Sequence, residues 1–191
     1  MQKPENRRSF LEKIGIGIGG TALVSSLPTF ANKIAQKEEI YEGKKLRIAL
    51  VGLGRYAGYL ADSFVDAKYC ELTGLVTGTP EKEETWGKKY NIKKQNIYNY
   101  KNFDKIAENK EIDLIYIVLP NAMHKEFAIR AAKAKKHIIV EKPMAITAAD
   151  CLEMIKAAKE NNVQLAMGYR LHYEPYHLEM KRLGQEKVLG K

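Results

Sequence analysis

The chain has 191 residues, 45% of them hydrophobic and 29% charged, with a formal charge of +9. The composition allows a soluble globular core, and the length suits one domain with added segments. The positive charges are scattered and no basic stretch is interleaved with aromatics, so a nucleic-acid groove is excluded, while a basic surface favours anionic ligands such as phosphates. Cys70 and Cys151 form no C-x-x-C pair, and histidine is too sparse around them for a zinc site. No metal centre is expected. The two cysteines read as packed thiols, with a disulfide between them left open.

The first segment, residues 1–31, reads as an address. Asn6-Arg7-Arg8-Ser9-Phe10-Leu11-Glu12-Lys13 precedes a glycine-rich apolar run, and Thr29 and Ala31 put small residues at a cleavage site. Paired arginines, a short apolar segment and a small-residue exit form a twin-arginine signal peptide. Asn6 and Glu12 depart from the usual pattern. The expected location is periplasmic or otherwise exported, with the twin-arginine export machinery as a partner. The run falls short of the roughly 20 apolar residues of a spanning helix, and an uncleaved anchor is the alternative. Gly15, Gly17 and Gly20 satisfy G-x-G-x-x-G, but no strand precedes them, so they are a decoy.

Residues 32–45 form a polar arm or linker. From there strands and helices alternate. Residues 46–51 make a short apolar strand, and 56–67 a helix. Residues 70–76 make a second strand, after which Thr79-Pro80 opens a helix with Thr79 as N-cap. A nearly continuous apolar strand spans 113–119, as a sheet covered on both faces requires. An alanine-rich helix covers 122–135, with Asn121 available as its cap. Residues 137–140 form another strand, Thr147 starts the next helix in a capping-box-like pattern, and 164–168 form the last strand. The predicted fold is α/β, a doubly wound parallel sheet of Rossmann type over 46–170. In such sheets ligands sit beyond the carboxyl ends of the strands.

The chemically interesting residues fall at those ends. Gly52-Leu53-Gly54-Arg55-Tyr56-Ala57 follows the first strand and opens a helix. The first glycine permits the turn, the second lets backbone approach a pyrophosphate, and Ala57 takes the third glycine's place. The second strand ends in Val76-Thr77-Gly78-Thr79 with Lys82 beyond, and lacks the carboxylate that would bond a ribose 2′-hydroxyl. Two hydroxyls, exposed amides and an ammonium suit a 2′-phosphate, so NADP is expected over NAD. Leu119-Pro120-Asn121-Ala122-Met123-His124 follows the 113–119 strand, with His124 near the same edge. Glu141-Lys142-Pro143 ends the next strand, where Pro143 restricts Lys142 to extended backbone. Gly168-Tyr169-Arg170 ends the last one. On position alone Lys142 divides evenly between a catalytic and a solvated reading, and Arg170 between a cofactor contact and a surface ion pair.

Together GLGRYA, the run 97–104, LPNAMH, EKPMA and GYRLHYEP resemble the Gfo/Idh/MocA family of sugar and cyclitol oxidoreductases, nearest the glucose–fructose oxidoreductase branch. The match covers most of residues 46–190. The resemblance implies hydride transfer between a sugar carbon and a tightly bound NADP that is exported with the folded protein. It places Thr77 and Lys82 at the 2′-phosphate and Tyr100 near the adenosine. It brings Glu141 and Arg170 to the cofactor, and Lys142 to the substrate as the catalytic group. The expected cofactor contacts are therefore Gly52, Leu53, Gly54, Arg55, Tyr56, Ala57, Thr77, Gly78, Thr79, Lys82, Tyr100, Leu119, Pro120, Asn121, His124, Glu141, Lys142 and Arg170. The family continues into a second, α+β substrate domain that carries the oligomer interface. That domain is absent here, with residues 171–191 reading as the connection to it. The expected chain is thus the nucleotide-binding half of a sugar oxidoreductase, with a non-catalytic NADP-binding module as the alternative. Homo-oligomers are expected only with the second domain.

Overall fold

The structure is a computed structural model that describes residues 43–188 and 190. The expected export segment, 1–31, and all of the polar arm except its last residues lie outside the described residues. Six parallel strands form one sheet, in the order β3-β2-β1-β4-β5-β6. They are β1 (Leu46–Val51), β2 (Cys70–Val76), β3 (Ile97–Tyr98), β4 (Leu114–Ile117), β5 (His137–Glu141) and β6 (Leu165–Gly168). The helices are α1 (Arg55–Ser63), α2 (Pro80–Lys89), α3 (Asn121–Lys133), α4 (Ala148–Glu160) and α5 (Pro175–Gln185).

The strand sequences explain the layering. Side chains alternate across a strand, and both faces of this sheet are covered, so the central strands run apolar over residues 48–51, 74–76 and 114–117. Leu50 and Leu75 pack with Leu53, Ala57 and Ala61 of the α1 layer, where Trp86 of α2 joins them. Ala49, Val51, Ile115 and Ile117 point the other way, onto Phe127, Ala128 and Ala131 of α3 and Met154 and Ala157 of α4. The strand order reverses between β1 and β4, which opens a crevice at the carboxyl edge. Among the described residues no helix is long and apolar enough to cross a membrane.

Several local expectations need correction. The first helix ends at Ser63, and residues 64–66 form a turn. Asn121 is the first residue of α3 and does not cap it; Pro120 holds the cap position and no side chain bonds there. Thr79 holds the cap position of α2, but its hydroxyl accepts no cap bond, Pro80 at the first turn having removed one of the amides that needs one. Thr147 does cap α4: its Oγ1 accepts from the Asp150 amide at 3.1 Å, and its hydroxyl donates to the Asp150 carboxylate at 2.7 Å. The 171–191 stretch contains α5, begun by Pro175 and capped by the Glu174 carboxylate at the His177 amide. The two-residue β3 and α5 have no counterpart in the pattern read from the sequence.

The amino edge of the sheet is tied by ion pairing. Arg47 on β1 forks onto Asp113 just before β4, with Nε and Nη2 at 2.8 and 2.6 Å from the two carboxylate oxygens. The Asp113 carboxylate also accepts the Arg47 amide at 3.0 Å. Hydrogen bonds from Arg47 hold the Asp113 carboxyl below its ordinary 3.8. The unfolded chain therefore takes up this proton first. The pair's contribution is complete above the ordinary value and is lost as pH falls through the lowered one. Asp113→Asn should cost about 1 kcal/mol at neutral pH, since the pair is partly exposed. Urea denaturation from neutral to about pH 2 should show that deficit narrowing in acid as the native carboxylate is protonated.

Candidate nucleotide-binding site

The chain leaves β1 through Gly52, whose φ is +90° and whose amide donates to the Val76 carbonyl at 2.9 Å. A Cβ there would lie 2.6 Å from the Val118 carbonyl oxygen and 2.8 Å from the Leu119 side chain, so the position accepts only glycine. Gly54 is different. It is exposed, and a Cβ on it would meet nothing within 4 Å. It is the N-cap of α1, and no side chain bonds the helix's first amides. A bare helix start beside a surface without Cβ atoms is a seat for a phosphate group. Ala57 is fully buried beneath it, and Leu53 is 4% exposed, so their side chains belong to the core and only backbone from Leu53 can meet a ligand. Arg55 and Tyr56 lie exposed at the helix start, where Arg55 Nε donates to the Tyr59 hydroxyl at 3.3 Å.

At the end of β2 the Thr77 side chain is buried, and its Oγ1 accepts the Thr79 amide at 3.2 Å. That hydroxyl is engaged in shaping the turn, leaving the exposed Gly78 and Thr79 as the open surface. The Tyr100 ring covers Gly78 so closely that a Cβ on Gly78 would sit 2.7 Å from it. Arg130 of α3 holds the backbone of this residue, donating to the Tyr100 carbonyl at 2.9 Å and pairing with Asp104 at 2.9 Å, while Phe127 meets the ring edge-on. Burial pushes the Tyr100 phenol above its ordinary value, partly offset by the Gly78 amide. Lys82 on α2 reaches back to the glycine turn, where Nζ donates to the Leu53 carbonyl at 2.8 Å. Two separate sequence motifs thus meet through one ammonium.

The ends of β4 and β5 are joined by His124. Its ring is fully buried, with Nδ1 2.9 Å from the Pro143 carbonyl and Nε2 2.8 Å from the Leu119 carbonyl. The structure thus places His124 beneath the edge, between the two loops, with a backbone carbonyl facing each ring nitrogen. Leu119 is 7% exposed and packs over Gly52, whereas Pro120 and Asn121 are open at the edge. Lys142 precedes Pro143 through a cis peptide bond. Lys142 is exposed, and its ammonium makes no hydrogen bond or ion pair among the described residues. Arg170, in the turn after β6, is likewise exposed and its guanidinium has no such partner. Glu141 is the opposite case, 7% exposed, with Oε1 accepting the Tyr116 hydroxyl at 2.7 Å and Oε2 the Lys142 amide at 3.2 Å. A cavity of about 400 Å³ opens here, lined by Tyr56, Glu141, Lys142, Gly168, Tyr169 and Arg170.

The expected residues thus lie along one edge of the sheet, from Tyr100 beyond β3 to Arg170 beyond β6. The edge offers a phosphate seat at α1, an aromatic wall at Gly78–Tyr100 and a cation-lined cavity at β5–β6. That set fits a nicotinamide dinucleotide. Tyr116 was not anticipated. An aromatic residue inside an apolar strand reads as core, and only the fold shows its hydroxyl under Glu141. Burial, then the hydrogen bond to Glu141, pushes this phenol well above its ordinary value, so it serves as a donor. Tyr56 is shifted up too, by burial and the Glu141 charge, with Arg170 opposing.

Known proteins share this arrangement. The aldose-aldose oxidoreductase of Caulobacter crescentus superposes with a TM-score of 0.74 at 40% identity, over 75% of this chain and 43% of that one. The NADP-dependent D-xylose 1-dehydrogenase of Haloarcula marismortui is 32% identical over 155 residues, 81% of this chain and 43% of that protein. The NADP-dependent scyllo-inositol 2-dehydrogenase of Bacillus subtilis is 28% identical over 72% of this chain and 40% of its own length. The chain therefore spans less than half the length of these relatives. Residues 46–169 match the family model described as the GFO_IDH_MocA oxidoreductase family, NAD-binding Rossmann fold, and the chain belongs to that family.

Proposed function

We propose that this chain carries the nucleotide-binding half of an NADP-dependent oxidoreductase acting on a sugar or related polyol. The observation that carries this reading is the pairing of a bare phosphate seat at Gly54 with an ammonium, Lys142, that has no partner among the described residues, toward the far end of the same edge. The names of the relatives supply the substrate class. When bound, the nicotinamide supplies the group that accepts or returns hydride. The chain's own residues do the rest. Amides at the start of α1 hold the pyrophosphate. The Tyr100 ring and Gly78 flank the adenosine, and Lys82 turns to the 2′-phosphate. Lys142 donates a hydrogen bond to the sugar oxygen and stabilises the charge that develops there as the carbon loses hydride. Its exposure supports a pocket completed by residues outside this chain.

A second reading is a module that holds NADP without turnover, and the open surroundings of Lys142 favour it for the chain in isolation. Single-turnover reduction of NADP with a panel of aldoses separates the two. The chain alone should react slowly or not at all, because the reacting carbon must be held about 3–3.5 Å from the nicotinamide. Supplying a second domain, fused or in trans, should bring activity, and Lys142→Ala should remove it while nucleotide binding persists. Rapid reduction by the chain alone would show that the substrate site lies elsewhere.

Cofactor choice follows from residues 76–82. The chain should bind NADP more tightly than NAD, and Lys82→Ala should narrow the gap by roughly tenfold, the size of one charge-assisted hydrogen bond. Calorimetric titration with both nucleotides measures this. Equal affinities in the unmutated chain would refute it.

We also propose export by the twin-arginine route, supported by Arg7-Arg8 and by Thr29 and Ala31. A mature form starting at Asn32 should appear outside the cytoplasm, detected by N-terminal sequencing. Replacing Arg7 and Arg8 with lysine should retain the precursor inside.

A further inference from the structure

Glu141 is the one carboxylate lining the β5–β6 cavity, and the fold goes to some length to hold it. Tyr116 and Ile139 pair in register on neighbouring strands, as do Glu141 and Gly168. Alternation along β5 puts Glu141 on the same sheet face as Ile139, and so on the face of Tyr116 and α1. The Tyr116 hydroxyl takes Oε1 at 2.7 Å, and the Lys142 amide takes Oε2 at 3.2 Å. On the far side a Cβ at Gly168 would lie 2.8 Å from both Oε1 and the Tyr116 hydroxyl, so β6 leaves room for this pair and nothing larger. The carboxylate thus has one donor from its own strand's continuation, one from the neighbouring strand, and a glycine opposite. Glu141 is 7% exposed, and a buried carboxylate is costly unless its oxygens have donors; here those donors also fix where its charge lies.

We propose that Tyr116 is a positioning residue that locks the Glu141 carboxylate beneath the cavity, and that the charge so placed makes the site favour the oxidised, cationic nicotinamide over the reduced, neutral one. This rests on the proposed function only in taking the cavity at β5–β6 as the nicotinamide end. The two redox forms of NADP have the same adenosine, pyrophosphate and 2′-phosphate, so every contact at Gly54, Gly78 and Lys82 cancels in the ratio of their affinities. What remains is the ring, which differs by one positive charge. The nearby cations Lys142 and Arg170 act against that charge, and Glu141 is the group that acts for it. Lys142 and Arg170 are exposed and screened by water, whereas Glu141 is buried, where a charge acts through a lower effective dielectric.

The test measures dissociation constants for NADP+ and NADPH on the full chain by calorimetry, with Tyr116→Phe, Glu141→Gln and the double variant. Glu141→Gln keeps the shape and removes the charge, and should weaken NADP+ relative to NADPH by roughly tenfold. Tyr116→Phe should move the ratio the same way by a smaller factor. In the double variant Tyr116→Phe should add nothing to Glu141→Gln, because the tyrosine acts only through the carboxylate. Thermal unfolding run alongside identifies any general loss of fold, which would weaken both nucleotides together and leave the ratio where it was. An unchanged ratio in Glu141→Gln, or independent effects of the two substitutions, overturns the inference. Failure of the unmutated chain to bind either nucleotide overturns the proposed function instead, and this inference with it.

Discussion

Everything along the carboxyl edge depends on β1 being hydrogen-bonded on both sides by parallel neighbours. β2 and β4 occupy its two flanks, so its backbone polar groups are satisfied within the sheet, and the side chains of residues 48–51 are buried on both faces. The chain has no lateral exit from such a strand. It must turn at once, beneath the exit of β4, which is why Gly52 sits 2.6 Å, on a virtual Cβ, from the Val118 carbonyl. The same constraint sends all six strands to a common edge, so that residues far apart in sequence end in one row.

Polar groups at the two edges are used differently. At the amino edge and the loops beside it, buried groups close on one another: Asn96 donates to Thr73 and Glu111, Asn109 donates to Asn96 and Tyr98, and the Lys136 ammonium bonds the Asn109 carbonyl. Burial pushes Lys136 below its ordinary value, and the two cations that line a cavity there, Arg47 and Lys93, are paired with Asp113 and Glu111. At the carboxyl edge the arrangement is reversed. Among the described residues Lys142 and Arg170 make no hydrogen bond or ion pair, while His124, Glu141 and Tyr116 beneath them are engaged by other protein groups. Stability is concentrated in the layer under the site, and the uncommitted donors lie on top of it.

The strands could be read from sequence because central parallel strands need apolar runs, and residues 48–51, 74–76 and 114–117 supply them. β3 could not, since two residues carry no period, and α5 was hidden because its exposed apolar residues do not mark a buried face. Within the site, the glycine turn and the Thr77–Lys82 stretch were legible as strand ends, whereas Lys142 divided evenly on position and was singled out only by the family resemblance. His124 and Tyr116 were not legible. Each occupies a position whose meaning depends on a side chain or carbonyl from another strand, and a single sequence does not record which. Lys82 lies between these cases: its charge was visible, its bond to the Leu53 carbonyl was not.

α3 has a consequence that reaches both ends of the edge. His124 in its first turn sits between carbonyls of the loops after β4 and β5, and Arg130 further along donates to the loop after β3. The two residues are six positions apart on one helix, about 9 Å at 1.5 Å per residue. Three loops that belong to different strands are therefore indexed to a single rigid rod. The Tyr100 and Pro143 carbonyls, from loops on different strands, therefore both rest against side chains of one helix, and its rise per residue sets how far apart those side chains stand.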